Sequence, residues 1–259
     1  MGIIEKLKEG KTVRIAFFGD SITEGCFEGD AMPEDQQYVY HTRFCQMLRK
    51  KYPSAQIETI NAGIGGNTSG MGLFRIQKDV LDKKPDFCVV CFGINDTSYC
   101  ALNAVTKKMQ FAKDMLALMK PNMEQHAYAL LEGGKPKKAY HYSMDRILTL
   151  LKDHNIPALV LTPNRMSLAP IADKSNPAYL LSAINAMLTK FGTMDKMMNI
   201  ARTVAMAHNV PVADGYARWK ELEKQGVVTP ETYVNGTNHP TRELHQELAN
   251  VLFAAFERL

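Results

Sequence analysis

The stretch VRIAFFGDSITEGCF, Val13–Phe27, is the most informative segment of the chain. Its apolar run ends at Gly19, and Asp20, Ser21 and Thr23 follow at once. A continuous apolar run of this length indicates a strand that is buried on both faces. The polar corner after it is either an ordinary strand-ending turn or the place where the fold presents a serine nucleophile.

Strand-like runs alternate with helical patterns along the rest of the sequence. This alternation favours a parallel sheet that is covered by helices on both faces. The predicted strands cover 13–18, 56–61, 87–92, 158–161 and 210–213. The predicted helices cover 38–52, 71–83, 140–154, 178–208, 216–224 and 242–259. The segment 100–145 is predicted to be a helical elaboration between the third and fourth strands, with helices at 108–120 and 124–131.

Length and composition indicate a globular protein with a sizeable core. The 259 residues suffice for one large domain or two small ones. Hydrophobic residues make up 46% and charged residues 22%, which is ordinary for a soluble protein. The net charge of +4 is spread over charges of both signs, and the densest basic run, 135–138, is too small for a nucleic-acid footprint. We therefore expect no nucleic-acid partner.

The sequence carries no sign of membrane insertion. No apolar stretch approaches the roughly 18 to 20 residues that cross a bilayer. Residues 1–13 alternate charged with apolar side chains, unlike a signal-peptide core. The five cysteines are scattered and odd in number, which favours a reducing compartment over a disulfide framework. We expect a cytoplasmic protein as the sequence stands, or a secreted one if a signal peptide has been removed.

Four short segments are expected to meet at one edge of the sheet, because ligands bind beyond the carboxyl ends of parallel strands. They are GDSIT with Ser21, GIGGNT with Gly66, GIND with Asn95, and NHP with His239. Each segment alone is explained by a turn or a helix cap. Together they supply what acyl transfer needs: a serine, a basic imidazole, and N–H donors for an oxyanion.

The sequence does not contain other known motifs in which glycine or serine follows a strand. The glycine run fails the dinucleotide pattern G-x-G-x-x-G, because Thr68 stands where its third glycine belongs. No G-x-x-x-x-G-K-[ST] phosphate loop occurs, and Ser21 does not lie in a G-x-S-x-G elbow. A nucleotide-binding site is therefore not expected.

Taken in order, the four motifs resemble those of the SGNH or GDSL-type esterases and lipases. The resemblance spans residues 13 to about 245. It implies a flavodoxin-like three-layer α/β/α sandwich with a mainly parallel sheet, the SGNH hydrolase fold. We expect it to form a single domain over 1–259, with the elaboration at about 100–145 added to it.

The resemblance also implies roles for individual residues. Ser21 is the expected nucleophile and His239 the expected general base. The expected oxyanion hole consists of the backbone N–H groups of Ser21 and Gly66 and the side chain of Asn95. Two acidic side chains are expected to brace their loops rather than to act chemically: Asp20 and Asp96.

One position departs from the pattern of the family. Gly236 stands where the family usually has an aspartate, three residues before the histidine. Three explanations remain open. A backbone carbonyl near Asn235–Asn238 accepts the His239 proton in a Ser–His dyad, a carboxylate such as Asp96 or Asp214 reaches in, or the site is impaired. We favour the dyad, in which the pKa of His239 is not strongly raised.

We expect a serine esterase that acts on short-chain carboxylic esters, such as O-acetyl groups on carbohydrate, through an acyl-enzyme on Ser21. The alternative is a catalytically weak protein that binds a glycan or a small ligand on the same fold. Phe27 and Tyr99 are candidates for lining the acyl pocket, although Phe27 could equally belong to the core. The elaboration and the methionine-rich region at 187–206 leave a homo-oligomer open.

We expect neither a cofactor nor a metal. The seven histidines have no acidic or cysteine partners at the spacing of metal ligands. His245 lies six residues after His239, whereas metal-binding pairs on a helix are usually closer, so we predict it to be a surface or capping residue.

Overall fold

The computed structural model describes the backbone of residues 2–106 and 135–259, and the side chains of 2–100 and 135–259. Its described part contains one sheet of five parallel strands in the order β2-β1-β3-β4-β5. This is the flavodoxin-like order, and it confirms the predicted parallel α/β architecture. The strands are β1 Thr12–Gly19, β2 Gln56–Gly63, β3 Phe87–Cys91, β4 Ala158–Thr162 and β5 Val212–Asp214.

Ten α-helices accompany the sheet within these ranges. The helices are α1 Ile3–Lys8, α2 Ser21–Glu24, α3 Tyr40–Lys51, α4 Ser69–Asp79, α5 Ile94–Thr106, α6 Pro136–Asp153, α7 Tyr179–Lys190, α8 Thr193–Ala207, α9 Gly215–Lys224 and α10 His245–Phe256. Helices α3, α9 and α10 pack together on one face, and α4, α6 and α8 pack together on the other. Short 3-10 helices cover Pro33–Tyr38, Leu81–Lys83 and Pro230–Thr232.

Two consecutive phenylalanines show why the central strand is apolar throughout. Side chains alternate across a strand, so Phe17 and Phe18 of β1 point to opposite faces. Phe17 packs against Tyr40 of α3, with ring centroids 6.1 Å apart. Phe18 packs against Phe92 at 5.1 Å on the other face. Both phenylalanines are fully buried, as a strand with two covered faces requires.

Three predicted helices differ from those observed. The predicted helix 178–208 is two helices, because Gly192 adopts a left-handed φ of +69° and ends the first one. The last helix begins at His245 rather than at residue 242, because the chain first makes a turn in which the N–H groups of Leu244 and His245 both donate to Thr241 O. Helix α6 begins at Pro136, before the predicted start at 140, with the proline in the first turn where it is tolerated.

The predicted helices 108–120 and 124–131 lie outside the described residues. A single domain over 1–259 with an elaboration at 100–145 therefore stays a prediction. Among the helices that the structure does describe, none is long and apolar enough to cross a membrane.

Candidate active site

Ser21 lies at the sharp junction between β1 and α2. Asp20 caps the short helix, because its Oδ1 accepts the Ile22 N–H at 3.1 Å. The chain is packed closely here, and a Cβ at Gly19 would lie 2.2 Å from Thr23 Oγ1. Glycine, aspartate and serine in this order therefore allow β1 to turn at once into a helix whose first residue is Ser21.

His239 approaches Ser21 from the loop that precedes α10. Its Nε2 lies 2.9 Å from Ser21 Oγ, and its Nδ1 lies 2.9 Å from the carbonyl oxygen of Phe27. A carbonyl oxygen can only accept, so Nδ1 carries the proton and Nε2 is left to accept from the serine hydroxyl. This is the tautomer that a general base needs. The two side chains expected to form a dyad are thus brought together.

The carbonyl that holds His239 belongs to the loop after α2, and not to the segment around Asn235–Asn238. That part of the expectation was wrong, because the path of the loop after Ser21 depends on long-range packing. The two carboxylates considered as substitutes are used elsewhere: Asp96 binds the Ser69 hydroxyl at 2.6 Å, and Asp214 binds Arg202 at 2.8 Å.

Gly236 cannot be replaced by an aspartate without distortion. Its φ is +70°, in the left-handed region that disfavours side chains. A Cβ added to it would lie 2.6 Å from Ile171 Cγ1. The position that usually carries the carboxylate in the family is therefore shaped for glycine in this chain.

Asn235 shapes the turn that presents the imidazole. Its Oδ1 accepts three backbone N–H groups, those of Thr237, Asn238 and His239, at 3.0, 3.0 and 2.9 Å. Its Nδ2 donates to Asn238 Oδ1 at 2.9 Å. The predicted supporting residue thus organises the backbone around His239, and it makes no hydrogen bond to the ring.

The three expected oxyanion donors line the same cavity as the dyad. Among the hydrogen bonds between described residues, neither the Ser21 nor the Gly66 backbone N–H has an acceptor. Asn95 Nδ2 donates to the Asn67 carbonyl at 3.0 Å, which fixes the amide while leaving its second N–H to donate elsewhere. Gly66 has a φ of +73°, and no described atom lies within 4 Å of where a Cβ would stand on it.

Burial controls the charges of the site. It lowers the pKa of His239, and the hydrogen bond to the Phe27 carbonyl offsets part of this shift. Burial raises the pKa of Asp20 to about 7, and the neighbouring charge of Asp96 adds to the rise. Burial also raises the pKa of Asp96 to about 6, although its bonds to Ser69 oppose the change. Asp20 is the N-cap of α2 and Asp96 lies in the first turn of α5, and their bracing role stays a prediction.

The cavity beside the dyad has a volume of about 1760 Å³. Helix α7 contributes an apolar wall to it, and Tyr99 also lines it. That Tyr99 contacts the acyl group stays a prediction. The three side chains of that wall are Leu180, Leu181 and Ile184. Among the described residues, no cluster of three or more histidine, cysteine or acidic side chains is arranged to hold a metal ion.

Two aromatic residues near the dyad belong to the core. The Phe27 side chain is fully buried and packs on the His245 ring at 4.8 Å. His245 was expected to be a surface or capping residue. It does not lie at the surface, because it is fully buried, and burial lowers its pKa to about 3. It does cap a helix, because its Nδ1 accepts the Tyr40 N–H at the start of α3. The carbonyl role of Phe27 was missed, since no residue type marks a backbone acceptor.

Two curated proteins share sequence segments with the chain. An acetylxylan esterase of Geobacillus stearothermophilus is 35% identical over 96 residues, which are 35% of this chain and 42% of that protein. An uncharacterized lipoprotein of Bacillus subtilis is 35% identical over 85 residues, 32% of each chain. The matched segments thus span less than half of either relative.

Solved structures share the fold over almost the whole chain. The acetylxylan esterase of Geobacillus stearothermophilus superposes with a TM-score of 0.63 at 22% identity, covering 96% of this chain and 95% of that one. An α/β-hydrolase enzyme from the metagenome of Lake Arreo, Spain, gives 0.63 at 20% identity with 95% of both chains covered. The model of the GDSL-like lipase/acylhydrolase family matches residues 17–247. The chain therefore belongs to the GDSL-like lipase/acylhydrolase family.

Proposed function

We propose that the protein hydrolyses short-chain carboxylic esters, in particular O-acetyl esters of carbohydrate, through an acyl-enzyme on Ser21. One observation carries the proposal: Ser21 Oγ lies 2.9 Å from His239 Nε2, while the other ring nitrogen is held by a backbone carbonyl. Membership of the acylhydrolase family supports the reaction class. The acetylxylan esterase among the relatives supports the substrate class.

The reaction divides into two transfers. Ser21 Oγ attacks the ester carbonyl carbon while His239 Nε2 takes the hydroxyl proton. The bond to the alcohol then breaks, and His239 returns the proton to the leaving oxygen. A water molecule next attacks the acyl-enzyme with His239 again as base, which releases the acid and restores the serine.

The oxyanion of each tetrahedral intermediate needs donors that are already in place. The backbone N–H groups of Ser21 and Gly66 and the Asn95 amide are proposed to supply them. Their lack of competing acceptors among the described residues supports this assignment for the two backbone groups. The size of the cavity supports a bulky alcohol such as a sugar, because about 1760 Å³ exceeds what a short acyl chain fills.

The experiment is hydrolysis of p-nitrophenyl esters from acetate to octanoate, together with acetate release from acetylated xylo-oligosaccharides. Wild type is expected to prefer the acetyl esters. Ser21→Ala and His239→Ala are expected to lower kcat by about 10³-fold or more, because the two side chains act as one unit. Full activity in Ser21→Ala would exclude the serine mechanism. Binding of the oligosaccharides without turnover by wild type would favour the alternative, a glycan-binding protein.

A further inference from the structure

We propose that Arg242 is a positioning residue that holds the Phe27–Glu28 peptide in place, so that its carbonyl oxygen orients His239. The inference rests on the proposed role of His239 as the general base. It assigns to an arginine and a backbone carbonyl the orienting task that a carboxylate performs in a serine triad.

Arg242 contacts the side chains of both residues that flank this peptide. Its guanidinium carbon lies 4.7 Å from the centroid of the Phe27 ring. Its Nη1 and Nη2 donate to the two carboxylate oxygens of Glu28 at 2.9 and 3.1 Å. The peptide between these two residues carries the oxygen that accepts from His239 Nδ1. These contacts hold the residues on either side of the peptide, so a displacement of the segment 27–28 would disturb one contact or the other.

The arginine is itself anchored at a second carboxylate. Its Nε and Nη2 donate to Asp35 Oδ1 and Oδ2 at 2.7 and 2.8 Å. The Asp35 side chain is only 8% exposed, so this pair is better shielded from water than the Glu28 pair. The Phe27 ring also packs on His245 at the start of α10. The Phe27 ring is therefore in contact with two side chains, those of Arg242 and His245.

Arg242 lies close to His239 in the sequence. It follows His239 by three residues, so one short segment carries both the imidazole and the group that holds its acceptor. A lysine can reproduce these contacts only in part. Its single ammonium lacks the planar fork that binds two carboxylates in pairs and stacks on an aromatic ring.

The test compares Arg242→Met with Arg218→Met as a matched control. Arg218 forms an ion pair with Glu247 of α10 at 2.9 Å, the same distance as that between Arg242 and Glu28. The exposed fractions of the two arginine side chains are also similar, 35% against 30%. For each variant we would measure kcat and KM for p-nitrophenyl acetate, the thermal unfolding midpoint, and the ¹⁵N spectrum of histidine-labelled protein. A His239→Gln sample assigns the His239 signals.

Wild type and Arg218→Met are expected to show His239 with the proton on Nδ1. Arg242→Met is expected to show a mixture of tautomers and a kcat lowered by about 10²-fold with KM little changed, because a small misplacement of a catalytic group has this effect. Arg242→Lys is expected to recover part of the loss. An Arg242→Met protein with the kcat and the Nδ1–H signal of the control would overturn the proposal.

A second variant covers the case in which Arg242→Met does not fold. Glu28→Gln removes the ion pair next to the carbonyl and leaves the Asp35 pair intact, and a smaller loss in kcat with the same tautomer change is expected. An unchanged spectrum in Glu28→Gln would then refute the inference. The spectrum does not depend on turnover, so an inactive wild type would refute the proposed function while the orientation of His239 is still tested.

Discussion

The Nδ1 atom of His239 lies 2.9 Å from the carbonyl oxygen of Phe27, and this contact occupies the place of a carboxylate contact in a serine triad. A carbonyl oxygen orients the ring and selects the tautomer as a carboxylate does. It carries only a partial charge, however, so it gives less stabilisation to the imidazolium that forms during the reaction.

The pH dependence of hydrolysis is expected to report a His239 pKa below its ordinary value of 6.5. Burial disfavours the charged imidazolium, and the neutral carbonyl opposes this only in part. Below the pKa the ring is protonated and cannot accept the serine proton. The value of kcat/KM should therefore rise with pH through a midpoint below 6.5 and then level off.

The measurement is kcat/KM for p-nitrophenyl acetate as a function of pH, below and above 6.5. His239→Ala is the control, because its pH profile should lack the fall in kcat/KM at acidic pH that protonation of His239 causes. A midpoint clearly above 6.5 would contradict the account, because it would require an anion beside the ring.

Asn95→Ala is expected to lower kcat by about 10²- to 10³-fold with little effect on KM. The amide is proposed to donate to charge that develops only during the reaction, and loss of one such donor has this effect. Asn250→Ala on α10 is the control, since that side chain is exposed and interacts with Gln246. Equal kcat values for the two variants would show that Asn95 does not donate to the oxyanion.

Gly236→Ala is expected to destabilise the protein more than Gly226→Ala. Both glycines have nearly the same left-handed φ, +70° and +71°, so the backbone strain is alike, about 1–2 kcal/mol. A Cβ at Gly236 would meet Ile171, whereas no described atom lies within 4 Å of one at Gly226. Denaturant unfolding gives the free energy of unfolding of each variant.

Gly236→Asp extends this comparison to activity. It restores the aspartate of the family pattern, but the same overlap with Ile171 should displace the turn, so hydrolysis is expected to fall rather than rise. Equal stability of the two alanine variants, or a faster Gly236→Asp enzyme, would show that the turn accepts a side chain.

The architecture could be predicted from the sequence because its signals are local. Apolar runs such as FCVVC at 87–91 mark strands with two covered faces, and the helical patterns between them leave little choice but a parallel sheet. The approach of Ser21 to His239 could be expected for a related reason: the carboxyl ends of parallel strands share one edge. The turn at Asn235 and Gly236 also carries a local signal, since Asn-Gly marks a tight turn.

The features of the site that could not be predicted from the sequence depend on contacts between distant segments. The acceptor for His239 is a backbone oxygen, which every residue carries, so only the path of the chain decides that Phe27 supplies it. His245 is buried because it packs against Phe27 and against the start of α3. Its partner there, Tyr40, is 205 residues away along the chain. Neither relationship leaves a pattern in the neighbouring residues.

The most direct test of the account is covalent labelling by a serine-reactive phosphonate, read by intact mass and peptide mapping. The account predicts that wild type gains one phosphonyl group at Ser21, that Ser21→Ala gains none, and that His239→Ala reacts much more slowly because no base activates the hydroxyl. A wild-type protein that remains unlabelled, or that is labelled at another residue, would contradict the claim that Ser21 and His239 form a working nucleophilic pair.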